Sequence, residues 1–305
     1  MTWTDIQRRF TSYFKRHQEI RTGWYVLLPL AYLLFLGIYY VVYGELLQFL
    51  PLVFFFIAIP VVALLSPSKE LLKYWTPLLM ILLSYEALAG TIGSLAASDA
   101  VSSLYAVDRL VWGVNLTGWV QSTFSSTSLT VVATLLYEVH MPLVAFTAAM
   151  VWFLRKEIFG RYVTAMALTS YAALATFVLF PTAPPWYVGA AANLLQGAGS
   201  SVVSNLFSGL TSMIESDQFA AFPSLHGAYA IIFCYFMLKL DRRLAFLAVP
   251  VTIGILFSTI YLGQHYAIDL LGGAVYALVP CLISERFQIF SVKAAKPLNE
   301  DTQKL

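Results

Sequence analysis

Residues 222–284 read FPSLHGAYAIIFCYFMLKLDRRLAFLAVPVTIGILFSTIYLGQHYAIDLLGGAVYALVPCLIS. Apolar runs stand at 227–240, 244–262 and 266–284, parted by two short breaks of opposite character. The first break carries Lys239, Arg242 and Arg243. The second carries no Lys or Arg but holds His265, with Asp269 just inside the run that follows. A bilayer core takes roughly 20 apolar residues per helical crossing, and basic residues collect in cytosolic loops. The stretch therefore reads as three crossings with the basic break on the cytosolic side. Two crossings separate His226 from His265, so both fall on the opposite side.

Five further apolar runs precede it, at 24–43, 47–65, 74–95, 129–153 and 162–180, in a chain that is 59% hydrophobic and 11% charged. The expected fold is all-α: a polytopic transmembrane helical bundle of about eight spans with both termini cytosolic. Seventeen of the 18 Lys and Arg residues then share the cytosolic side. They are Arg8, Arg9, Lys15, Arg16 and Arg21 in the N-terminal arm, and Lys69, Lys73, Arg155, Lys156, Arg161, Lys239, Arg242 and Arg243 in alternate loops. Arg286, Lys293, Lys296 and Lys304 complete the set in the tail. Only Arg109 lies in an opposite-side loop. The net charge of +2 says little by itself, and its distribution argues against a nucleic-acid partner.

The chain divides into an arm (1–22), one transmembrane catalytic domain (23–287, core motifs 180–273) and a cytosolic tail (288–305). Trp3, Ile6, Phe10, Tyr13 and Phe14 fall near one helical face with basic residues between them. The arm thus reads as an interfacial helix on the cytosolic leaflet, a disordered basic arm being the alternative. Its charges and the long first apolar run argue against a cleavable signal peptide. Cys234 and Cys281 lie inside predicted helices and imply no disulfide framework. We find no internal repeat and no paired, Gly/Pro-broken half-helices, which weakens a transporter reading.

Two opposite-side loops are long. Residues 96–125 include Asp108, Arg109 and Leu110-Val111-Trp112, the makings of a short interfacial helix. Residues 181–225 contain no Lys or Arg, and a loop of that length covers a site or is mobile. Chemistry gathers on the same face. Phe222-Pro223-Ser224-Leu225-His226 opens the sixth helix, where unpaired backbone N–H groups can seat a phosphate. Ser224 either caps that helix or donates to a phosphate oxygen. His265 and Asp269 are four apart and share a helix face, so the carboxylate can fix the imidazole tautomer and free its other nitrogen to attack. The bland alternatives are an interfacial His at a helix start and a structural polar pair. Co-location of a nucleophile, an orienting carboxylate, a second His and a phosphate seat makes a phosphoryl-transfer constellation. Phe180-Pro181-Thr182-Ala183-Pro184-Pro185-Trp186-Tyr187 stops the fifth helix, and its Trp and Tyr suit the headgroup zone.

Pro-Ser-Leu-His at 223–226 and His-Tyr-Ala-Ile-Asp at 265–269 resemble the second and third motifs of the type 2 phosphatidic acid phosphatase superfamily. With Phe180 to Tyr187 and Gly272-Gly273, the pattern is most similar to the inositol phosphorylceramide synthase branch and its prokaryotic relatives. The resemblance is specific from about 165 to 280 and faint before it. It implies a metal-independent reaction without cofactor. His265 would attack a lipid-linked phosphate, Asp269 would orient it, and His226 would serve the leaving group. The phosphohistidine formed would pass its phosphoryl group to a second hydroxyl.

The superfamily's hydrolases carry a Lys and an Arg-Pro in the first motif and an Arg ahead of the last His. Here Phe180 precedes Pro181 and the later position is Thr259, departures shared with the synthase-like branch. Phosphate and substrate contacts then fall to Ser224, Leu225 and His226 amides, Arg109, Pro184, Trp186, Tyr187 and Tyr266. Arg109 alternatively pairs with Asp108 at the surface. Glu86, Glu138 and His140 lie inside predicted helices, either as packing contacts or lining a headgroup cavity. His17, His140, His226 and His265 show no metal-ligand spacing. Asn115-Leu116-Thr117 is a glycosylation sequon in form.

The expected function is transfer of a phospho-headgroup, inositol-phosphate-like, from a phospholipid to a lipid alcohol on the extracytosolic side. A lipid phosphatase acting on a phosphomonoester is the alternative, and a non-enzymatic transporter or scaffold a third. Partners are lipids and the bilayer; the sequence names no partner subunit.

Overall fold

A computed structural model of the chain describes residues 74, 75, 78, 102–197 and 219–288. The N-terminal arm, the first two predicted spans, Glu86, most of the third span and the tail beyond 288 lie outside the described residues.

Strand β1 (Ser102–Ser103) leads into α1 (Tyr105–Trp112) and α2 (Leu116–Thr123), followed by α3 (Thr127–Glu138), α4 (His140–Leu154) and α5 (Phe159–Leu179). Strand β2 (Thr182–Ala183) pairs in parallel with β1. Then come α6 (Leu225–Leu240), α7 (Ala245–Tyr261) and α8 (Ala267–Arg286). The expected interfacial helix in 96–125 is thus two helices, α1 and α2. Apart from one two-residue ladder and a bridge between Thr182 and Ala220, the regular structure among the described residues is helical.

Four predicted spans correspond to α5 through α8, with ends shifted by a few residues. The fourth needs correction. The apolar run predicts a single helix over 129–153, but α3 and α4 meet at Val139 with a bend of 51°. Pro142 explains the break: it has no N–H to give the Glu138 carbonyl, and its ring crowds that carbonyl. The Tyr137 carbonyl, at the break, meets His140 Nδ1 at 2.7 Å.

Lys156–Leu179, Arg242–Tyr261 and Ala267–Arg286 are long and apolar enough to cross a bilayer, and the bent pair α3–α4 adds a fourth if it counts as one span. Helix α6, at 16 residues, is apolar but shorter. These helices make the chain an integral membrane protein.

Helix α6 is central, packing on α4, α7 and α8, while α5 lies against α8 and α3 against α7. The main core joins Trp152, Phe159, Tyr162, Phe177, Phe236 and Cys281, and Trp75 stacks on Phe159. Short polar side chains tie the helices together: Thr169 donates to the Tyr276 carbonyl at 2.7 Å, Ser170 bonds the Tyr229 hydroxyl at 2.9 Å, and Thr252 donates to the Ala230 carbonyl at 3.0 Å. Such bonds stitch helices where burial against lipid gives little drive.

The two ends of the bundle differ in chemistry. At one end Glu285 accepts from Arg161 at 2.6 Å, Lys239 at 2.8 Å and the Tyr235 hydroxyl at 2.7 Å. Arg155 donates to the Lys239 carbonyl at 2.8 Å. At the other end lie the N-termini of α6 and α8, and with them both motif histidines.

Candidate active site

Helix α6 begins where Ser224, fully buried, turns its hydroxyl oxygen to the Gly227 N–H at 3.2 Å. Of the two roles open to Ser224 from sequence, its oxygen takes the cap. The Ser224 N–H in turn donates to the Asp269 carbonyl at 3.0 Å, joining the starts of α6 and α8. Among the described residues nothing accepts from the backbone N–H groups of Leu225 and His226. Two free amides at a helix start are suited to an anionic oxygen.

The α7–α8 turn sets His265. Gly263 adopts φ +80°, and a Cβ there would collide with the Ala192 carbonyl oxygen. The N–H groups of Gln264 and His265 both donate to the Thr259 carbonyl, at 3.0 and 3.2 Å. Asp269, in the first turn of α8 and fully buried, accepts from the Tyr266 N–H at 2.8 Å through Oδ2. The same oxygen lies 3.4 Å from His265 Nδ1. That separation is an ion-pair contact beyond good hydrogen-bond range, so His265 Nδ1 and Asp269 Oδ1 are both buried without a hydrogen-bond partner.

His265 Nε2 lies 3.3 Å from His226 Nδ1. A carboxylate only accepts, so we assign the His265 proton to Nδ1, which leaves Nε2 its lone pair and makes His226 Nδ1 the donor. Close approach of α6 and α8 permits the meeting. A Cβ on Gly273 would sit 2.5 Å from the Ser224 carbonyl oxygen, and one on Gly272 2.5 Å from the Phe222 ring. The Gly272-Gly273 pair is where the second helix start fits against the first.

The break at Val139 adds two residues to this site. The His226 ring lies 4.1 Å from the Tyr137 ring, nearly parallel, and 3.9 Å from the His140 ring. The sequence allows His140 either packing or a headgroup cavity; its ring packs on His226. Spacing places Glu138 and His140 on different faces, and the break does separate them, with Glu138 ending α3 and His140 starting α4. Three gathered imidazoles invite a metal reading, yet among the described residues no three His, Cys, Asp or Glu side chains are arranged so that they could hold a metal ion.

Pro184 is buried, Trp186 half-buried and Tyr187 exposed. The Trp186 N–H donates to the Gly263 carbonyl at 3.3 Å, which lays this segment on the turn carrying His265. Thr182 Oγ1 accepts from the Phe222 N–H at 2.7 Å, tying the Pro-rich segment to the start of α6. Tyr266 is buried, its hydroxyl 3.3 Å from Ser103 Oγ. Arg109 is exposed. The alternative pairing of Arg109 with Asp108 is not formed, because Asp108 is buried and accepts from the Ile268 N–H at 3.0 Å. Burial pushes the Asp108 carboxyl above its ordinary value, against the hydrogen bond from Ile268. Thr259, at the family's arginine position, is buried with its hydroxyl on the Leu256 carbonyl. Asn115 caps α2 through Gly118 N–H, and its side-chain amide donates to the Ala190 carbonyl at 2.6 Å, so the sequon residue serves the fold.

A sequence profile described as the PAP2 superfamily matches residues 102–283. The chain belongs to the PAP2 superfamily. The match begins at residue 102, so α1 through α4 are part of the PAP2 unit even though the motifs are sparse there. Among curated relatives, the chain is 26% identical over 135 residues to inositol phosphorylceramide synthase catalytic subunit aur1 of Schizosaccharomyces pombe, covering 39% of this chain and 31% of the relative. It is 32% identical over 115 residues to inositol phosphorylceramide synthase of Candida albicans, covering 32% and 23%. It is 31% identical over 121 residues to inositol phosphorylceramide synthase catalytic subunit AUR1 of Saccharomyces cerevisiae, covering 33% and 28%. The aligned part thus spans less than a third of each relative's length. No solved structure matches the chain.

Proposed function

We propose that this PAP2 protein is a membrane phosphotransferase that moves a phospho-headgroup from a phospholipid to a lipid alcohol, on the extracytosolic side of its membrane. One observation carries the reading: His265 Nε2 is held 3.3 Å from His226 Nδ1 while Asp269 stands at the opposite nitrogen of His265. Nucleophile, orienter and proton carrier are in line.

In the first step the Nε2 lone pair attacks phosphorus, an N–P bond forms, and the P–O bond to the diacylglycerol oxygen breaks. That oxygen takes its proton from His226 in its imidazolium form, which becomes the neutral imidazole. Asp269 stabilises the charge that develops on the His265 ring, as the carboxylate of a catalytic triad does. In the second step His226 takes the proton of an incoming lipid hydroxyl, whose oxygen attacks phosphorus and releases Nε2. Protons and bonds balance over the cycle. A substrate phosphoryl group must displace the His226–His265 contact, and the Leu225 and His226 amides supply the nearest vacant donors for its oxygens. His265, His226 and Asp269 are the proposed catalytic residues, and Ser224, Leu225, Arg109, Pro184, Trp186, Tyr187 and Tyr266 the proposed substrate-side set.

Transfer to a lipid alcohol in place of water needs an acceptor held in line and water kept out. The names of the curated relatives support an inositol-phosphate headgroup and a ceramide-like acceptor. A phosphomonoester dianion would want paired cations, and the described residues bring only the exposed Arg109 to this end of the bundle.

The test supplies purified full-length chain with phosphatidylinositol and fluorescent ceramide, and separately with phosphatidic acid. Headgroup-bearing fluorescent product is expected, insensitive to EDTA. Rapid phosphate release from phosphatidic acid with no transferred headgroup would identify a lipid phosphatase instead.

A further inference from the structure

We propose that Asp108 is a positioning residue of the transfer site, a carboxylate on an interfacial helix that holds the first turn of α8. This rests on the function proposed above and adds a residue that none of the motifs contains.

Helix α1 is inverted relative to an amphipathic helix on a soluble protein. Asp108 is its one buried residue, at 2% exposure, whereas Leu110 is 83% and Trp112 42% exposed. A helix that turns its carboxylate inward and its Leu and Trp outward suits the headgroup zone of a bilayer. Its location agrees: α1 and α2 lie at the end of the bundle that carries His265, with Gln121 of α2 donating to the Tyr261 carbonyl at 2.9 Å.

The inward carboxylate meets the catalytic helix. Asp108 Oδ1 accepts from the Ile268 N–H at 3.0 Å, within the first turn of α8. That turn has another carboxylate, Asp269, which takes the Tyr266 N–H. An acidic residue in the first turn commonly spends itself on the helix's own free amides. Here Asp108 occupies the Ile268 amide from outside, so Asp269 Oδ1 stays unpartnered and Oδ2 stays near His265 Nδ1. The root of α1 is fixed on the same helix start, through Ser103 Oγ at 3.3 Å from the Tyr266 hydroxyl and the β1–β2 ladder. Asp108 therefore acts through Asp269: it holds the turn so that the carboxylate can face the nucleophile.

The experiment compares Asp108→Ala, Asp108→Glu and Asp108→Asn in the full-length chain in liposomes, with phosphatidylinositol and fluorescent ceramide as substrates. Asparagine keeps an acceptor at the same place and should retain most of the turnover. Alanine removes it and glutamate displaces it; each should lower kcat by roughly 10- to 100-fold, the scale of ångström misplacement at a reacting centre, with KM for both lipids little changed. Glutamate keeps the charge and nearly the volume, so it answers the question if the alanine variant does not fold. Hydrogen–deuterium exchange over residues 264–272 reads the same bond independently of activity, and should quicken in Asp108→Ala but not in Asp108→Asn. Folded Ala and Glu variants with wild-type kcat, or a first turn that exchanges no faster without the carboxylate, would overturn the proposal. A wild-type protein that transfers no headgroup, yet shows the exchange change, would sink the functional reading alone.

Discussion

At the scale of single residues, three side chains have separable duties. His265→Ala should abolish headgroup transfer, because no other nitrogen stands in line, while its melting temperature stays close to that of the wild type. Asp269→Asn should cost roughly 10²- to 10⁴-fold in kcat, since an amide no longer enforces the Nδ1–H tautomer. His226→Ala should fail with natural lipids but recover appreciably with an aryl phosphodiester, whose leaving oxygen needs no proton. A His226→Ala variant equally dead on both would remove the proton-carrier role. These three are legible in the chain because each motif is local: a Ser-Leu-His helix start and a His-Asp pair one turn apart. Tyr137 is not legible as a site residue, and His140 is legible only as a packing contact or a headgroup-cavity residue, because their stacking on His226 depends on a bend that composition does not announce. Pro142 is the available signal. His140→Phe should keep the ring contact and most of the activity, and His140→Ala should lose more; equal activities would show that the His140 ring does not hold His226.

At the scale of elements, the decisive contact is the crossing of α6 and α8. A Cβ at Gly273 would stand 2.5 Å from the backbone oxygen of Ser224, whereas one at Gly254 meets only the flexible end of Leu136 at 3.0 Å. Gly273→Ala must therefore part the helix starts, costing about 1–3 kcal/mol as overpacking does, and should lower transfer sharply. Gly254→Ala should be mild in both thermal melting and activity. If the two behave alike, the close approach does not set the site. The Gly-Gly pair is visible in the sequence, but its reason is not: the helix face it occupies and the backbone it faces belong to a partner 49 residues away by the numbering of Ser224 and Gly273. The α3–α4 break shows the opposite case, where a run of apolar residues conceals a bend because hydrophobicity measures length in lipid and not continuity of the helix.

At the scale of the whole molecule, the expected sidedness has a direct measurement. With Cys234 and Cys281 replaced, a cysteine at Arg242 should react with an impermeant maleimide only from the cytosol, and one at Val188 only from outside. Outside labelling at 242 would invert the topology and move the site to the cytosolic face. What the sequence alone determined was a helical membrane chain, with an expected separation of its bases, Arg109 apart, from His226 and His265, because transfer of apolar side chains to lipid and retention of cations in water are local properties. The described helices and the Glu285 cluster with Arg161 and Lys239 agree with that segregation. What only the tertiary structure decided was which groups touch: His226 on His265, His140 and Tyr137 on His226, and Asp108 on the Ile268 amide rather than on Arg109. Those contacts join residues far apart in the chain, and they follow from helix crossings and one proline bend whose geometry is set by packing and not by any local pattern.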